Sequence, residues 1–124
     1  LSFEGETGPY VQYTHARCCA VLRKADQPVS ADINYEALSD QDAADVLSVL
    51  ETFNKSIMTA MKKNEPHIVT RFVLDLAQAF NKFYHNSPIL VEDDDLRAAR
   101  LALVEATRQT IENALKGMKA PQKM

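Results

Sequence analysis

Tyr10, Tyr13, Arg17 and Lys24 lie in a stretch headed by Pro9 and free of glycine and proline until Pro28. On a helix turning about 100° per residue, the four fall within an arc of roughly 60°. Two aromatic rings beside two cations can stack a base while a phosphate is neutralised, the pairing that single-stranded RNA calls for. The alternative is that both tyrosines merely flank the core with their hydroxyls in water, and spacing alone favours it. Val11, His15, Cys18 and Leu22 occupy a second arc of similar width and read as the core stripe. His15 in that stripe reads as a buried histidine satisfied by a hydrogen bond rather than as a ligand or a base.

Other chemistry is poorly supplied. Cys18 and Cys19 are adjacent, a spacing that opposes an unstrained mutual disulfide and matches no zinc-ligand pattern, so both read as reduced thiols. His15 with one thiol is too few ligands for a metal, and neither cysteine has a visible base. Tyr84, four residues after Phe80, ends an aromatic stripe where a ring can be half core and half exposed. Arg97, Arg100 and Arg108 share an arc of about 80° and form either a phosphate-facing stripe or a solvated face, the second being the default. No glycine-rich phosphate loop, paired hydrolase carboxylates or adenylate-binding signature is present. Nothing here argues for catalysis by this chain alone.

The elements that must position these residues are helices. The chain has 124 residues, 46% of them hydrophobic, with only three glycines and abundant Ala, Leu, Glu and Lys, which predicts one all-α bundle. Leu1 to Thr7 reads as a cut edge, with residues 1–8 forming a junction and 9–124 the helical domain. A first helix is expected from Pro9 to about Lys24. After a loop containing Pro28, Ser39 is positioned to cap a helix from about Asp40 to Thr52, with Leu38, Ala43, Val46, Leu47 and Leu50 as its apolar stripe. Phe53 to Lys63, with Phe53, Ile57, Ala60 and Met61 on one side, is either its continuation or a separate bent piece. Glu65 and Pro66 restart the chain. From Ile68, the series Phe72, Leu76, Phe80, Phe83 marks the central helix, stopped by Asn86, Ser87 and Pro88. The run Glu92 to Asp95 opens a last helix that ends near Gly117.

Charge is segregated although the net value is only -3. Between Ala25 and Asn54 there is no Lys or Arg, while Asp26, Asp32, Glu36, Asp40, Asp42, Asp45 and Glu51 fall there. From Arg97 onward, Arg97, Arg100, Arg108, Lys116, Lys119 and Lys123 outweigh Glu105 and Glu112. A polyanion is therefore expected at the chain ends rather than at the acidic middle. No run approaches the ~20 apolar residues that span a bilayer, nor is there a signal-peptide pattern, so a soluble, intracellular protein is expected.

The segment TGPYVQYTHAR, Thr7 to Arg17, continued by CCAVLRK, resembles the stretch that leads into the anticodon-binding bundle of arginyl-tRNA synthetases. EPH at Glu65 to His67, DLAQAFNKFY at Asp75 to Tyr84, RLALVEATRQ at Arg100 to Gln109 and APQKM ending at Met124 extend the likeness over nearly the whole chain. It is weakest between Asp26 and Asn64. The resemblance, to the C-terminal DALR-type domain of that family, implies a class I synthetase helical bundle that recognises the anticodon loop of tRNA(Arg). An absent catalytic domain would use ATP with Mg to arginylate the tRNA, leaving this fragment non-catalytic and without a cofactor or metal. The same likeness assigns Tyr10, Tyr13, Arg17, Tyr84 and Met124 to the anticodon loop, with Lys24, Arg97, Arg100, Arg108 and Lys123 as further phosphate contacts. Its implied partners are tRNA(Arg) and the catalytic domain, with no DNA and no membrane, in a cytoplasmic monomer. The competing reading is a helical protein-interaction module without RNA binding.

Overall fold

The computed structural model describes residues 7–30 and 32–119. Four long helices, α1 (Thr7–Ala25), α2 (Gln41–Thr52), α4 (Pro66–Asn86) and α5 (Asp94–Lys119), carry the bundle, with a short α3 (Met58–Lys62) and a single 3-10 turn at Tyr35–Ala37. No strand occurs among the described residues. α1 starts two residues ahead of Pro9, which therefore sits in its first turn, where a missing N–H breaks no hydrogen bond. It stops at Asp26, whose φ of 51° is left-handed and cannot continue a helix. The cap of α2 differs from expectation. Asp40 accepts from the Ala43 N–H at 3.1 Å, so the helix begins at Gln41 and Ser39 stays outside it. A carboxylate is the stronger acceptor and adds favourable charge at the helix start.

Phe53 to Ile57 is a π-turn that runs straight out of α2 and into α3, so the segment is a continuation of the preceding helix. The wider turn brings Ile57 and Ala60 into the core, and Phe53 meets Phe72 at 5.8 Å between ring centroids. α3 closes in a Schellman motif: Asn64 has φ 57°, its N–H reaches the Met61 carbonyl and the Glu65 N–H reaches that of Ala60. Pro66 then opens α4 at a position where it costs nothing.

α4 is the centre of the core. Val69, Phe72, Val73, Leu76, Ala77, Phe80 and Phe83 are buried along it, whereas Ile68, expected to begin the stripe, is 37% exposed. Asp93 caps α5 through the Leu96 N–H, and α5 passes Gly117 to end at Lys119. A Cβ at Gly117 would meet the terminal methyl of Met61, a flexible side-chain end that would have to move aside. On α1 the core stripe is Val11, Thr14, Cys18 and Val21, with His15 and Leu22 at its margin.

Candidate nucleic-acid interface

Helix α1 lies against the C-terminal half of α4, and their contact brings together four of the residues singled out in the sequence. Arg17 is the hub. Its Nη1 donates to Asn81 Oδ1 at 2.9 Å and its Nη2 to the Tyr13 hydroxyl. Its guanidinium carbon lies over the Tyr84 ring at 4.2 Å from the centroid and over the Tyr13 ring at 4.8 Å. The shorter contact to Tyr84 is the cation–π interaction proper, while Tyr13 is held chiefly by its hydroxyl. Asn81 Nδ2 donates in turn to the Tyr10 hydroxyl at 3.0 Å and to Thr14 Oγ1 at 2.8 Å. Thr14 passes its own hydrogen to the Tyr10 carbonyl at 2.9 Å.

The outward surface of this cluster suits a planar, electron-rich ligand. Tyr13 is 54% exposed, and Tyr10 and Tyr84 are half-buried, each anchored by packing on the core, with Phe80 beside Tyr84 at 6.2 Å. Rings pinned along one edge and open on the other stack a base with little ordering cost. Asn81 and Thr14 were not foreseen. The one signal for Asn81 was in FNKFY: a polar residue of poor helix propensity beside Phe80 in the last turns of an amphipathic helix. Thr14 gave none beyond its place between Val11 and Cys18.

The arginines of α5 do not face outward as a set. Arg97 donates through Nε to Gln27 Oε1, through Nη1 to the Val91 and Glu92 carbonyls, and through Nη2 to Asp94. Arg100 donates to the Pro88 carbonyl and its Nε is buried without a partner. Arg108 clamps Glu105 with Nε and Nη2, both at 2.8 Å, and Glu112 with Nη1 at 2.9 Å. Periodicity placed the Cα atoms correctly, but a long flexible stem can fold back to a neighbour from any rim position. Lys24 is exposed and has no ion-pair partner among the described residues. Met124 and Lys123 lie outside the described residues.

His15 is not deep in the core. It lies in the seam between α1 and α5, Nε2 at 3.3 Å from Glu112 Oε1 and Nδ1 at 3.8 Å from Cys19 Sγ. Thiol, imidazole and carboxylate stand in that order, but Glu112 is also paired with Lys116 and Arg108, so its charge is already compensated. Hydrogen bonds from Lys116 and then His15 hold the Glu112 carboxyl below its usual range, and that from Arg108 does the same for Glu105. Arg108 is driven the other way by its bond to Glu105, further into the charged form. Cys18 is fully buried, which pushes its thiol up to about 12. Both cysteines are free thiols. Among the described residues no group of three or more His, Cys, Asp or Glu could hold a metal ion, and no helix is long and apolar enough to cross a membrane.

A helical bundle with an aromatic and cationic surface of this kind belongs to a known class. The DALR anticodon binding domain matches residues 11–124, and the chain belongs to that family. Its relatives include arginine–tRNA ligases of Clostridioides difficile, 71% identical, and of Alkaliphilus metalliredigens, 53% identical. Each match covers the whole of this chain and 22% of the relative, so the chain spans about a fifth of their length. The solved structure of Thermus thermophilus arginyl-tRNA synthetase is similar over 99% of this chain and 22% of its own, with a TM-score of 0.78 and 33% identity.

Proposed function

We propose that this chain is the anticodon-reading domain of an arginine–tRNA ligase. It holds the anticodon loop of tRNA(Arg) on the surface formed by Tyr10, Tyr13, Arg17 and Tyr84. Lys24 approaches the phosphates at one side, and Met124 and Lys123 belong to the same loop contact. Arginylation, with ATP and Mg, is the work of the remaining four-fifths of such a ligase, and this chain alone makes no arginyl adenylate. The parent acts in the cytoplasm as a monomer on tRNA rather than DNA. The observation that carries the reading is the Arg17 guanidinium: it is set against two tyrosine rings and fixed by Asn81, with donors still available on an exposed surface. A planar cation in that setting can neutralise phosphate or bond a base edge beside a stacking ring.

The test is binding of the chain to an anticodon stem-loop from an arginine-accepting tRNA, against the same stem-loop with the middle anticodon base changed. Clear preference for the first is expected, with Met124→Ala weakening it. Equal binding of both RNAs, or none, removes the reading.

A further inference from the structure

The hydrogen-bond directions around Asn81 follow from donor and acceptor chemistry. A guanidinium has five donors and no acceptor, so the amide oxygen of Asn81 must face Arg17 and its NH₂ must face the two hydroxyls. Both hydroxyls therefore accept from Asn81. Thr14 disposes of its own hydrogen inward, on the Tyr10 carbonyl. Tyr10 has no such outlet among the described residues, so its O–H is free to donate outward. Tyr13 likewise accepts from Arg17 and keeps its hydrogen for the outside. Together with the N–H groups of Arg17 not engaged by Asn81 and Tyr13, the cluster turns hydrogens outward at Tyr10, Tyr13 and Arg17, and its acceptor capacity is reduced to the lone pairs left on the hydroxyls and on Asn81 Oδ1.

We infer that Asn81 is a positioning residue that sets this polarity. By fixing the direction of the Tyr10 hydroxyl and the Arg17 guanidinium, it makes the surface rich in outward donors, so that it favours acceptor groups of the RNA over base amino groups. This rests on the RNA-binding reading above and goes beyond it in assigning a role to a residue that need not touch the RNA.

Asn81→Asp provides the test. An ionised carboxylate has no donor; it retains Arg17 by charge, but Tyr10 must turn its hydrogen inward to meet it. Affinity for the arginine-acceptor stem-loop is expected to fall roughly three- to tenfold through Tyr10, as for one hydrogen bond. In a Tyr10→Phe background that part of the loss should vanish, whereas any repulsion from the added charge is common to both backgrounds and cancels in the cycle. Thermal melting of each variant reports folding separately. An equal loss in both backgrounds overturns the inference and leaves the RNA-binding reading standing; failure of the unaltered chain to bind removes both. Should Asn81→Asp not fold, Tyr10→Phe alone decides: it must weaken binding by a similar factor, and unchanged affinity overturns the inference.

Discussion

Arg17 joins two helices and two of the three aromatic groups that make the surface, Tyr13 and Tyr84, and it does so with a fork that a lysine does not possess. Arg17→Lys would keep the charge but lose the simultaneous bonds to Asn81 and Tyr13. We expect it to retain the salt dependence of RNA binding while losing affinity, whereas Arg17→Ala reduces the salt slope by roughly one contact. Equal slopes for wild type and Arg17→Ala in a salt titration would place the guanidinium away from the phosphates. Tyr13, more than half exposed, makes the complementary case. Tyr13→Ala should cost ~1–3 kcal/mol of RNA binding and little stability. Phe80→Ala, in the fully buried core beside Tyr84, should cost ~3–5 kcal/mol of stability. Urea unfolding and gel-shift assays on the two variants distinguish the roles, and an unfolded Tyr13→Ala would refute them.

Several helix ends carry hydrogen bonds that tie one element to another. Asp40 caps α2 and also accepts from the Ser87 hydroxyl at 3.3 Å, while Asn86 and Lys82 reach Asp42. The start of α2 is thus tied to the end of α4, within a turn of Tyr84. Asp40→Ala should lose ~1 kcal/mol of stability and Ser39→Ala almost none, a difference visible in chemical denaturation midpoints. The π-turn at Phe53 has a comparable purpose, since it rotates the chain so that Phe53 and Ile57 both reach α4. Asn64, in the left-handed region, then turns the chain back into Pro66.

Across the whole molecule, α1 and α5 are joined by an apolar seam and by the line of His15, Glu112, Arg108 and Glu105. Glu105 and Glu112 both have lowered pKa values in the fold. A carboxylate depressed by folding stabilises the protein above its ordinary value of 4.5 and loses that contribution as pH falls through the folded value. Stability should therefore decline below about pH 4.5 as these groups take up protons. Arg108→Met, which removes the first cause of the Glu105 shift, should flatten that decline, as read from melting temperatures between neutral and acid pH. An unchanged acid profile in the variant would show that the clamp carries no linkage.

The sequence by itself determined the helices, the aromatic core of α4, and the face of α1 that carries Tyr10, Tyr13 and Arg17. These depend on periodicity and on residue type within one element, and they survive any change in neighbours. The resemblance then changed the reading of that face from a flank of the core to the RNA surface proposed above. Only the tertiary structure decided which polar groups meet: Arg17 with Asn81, 64 residues away; His15 with Glu112, 97 away; and Arg97 with Gln27, 70 away. Helical spacing predicts where a Cα lies around an axis, not where a long side chain ends. For that reason the α5 arginines, which share one arc, proved to be engaged with carbonyls and carboxylates of the chain itself. Asn81, at the margin of the apolar stripe beside Tyr84, proved to be the group that bonds Arg17, Tyr10 and Thr14 together. Its partners come from another helix, and no local pattern encodes them.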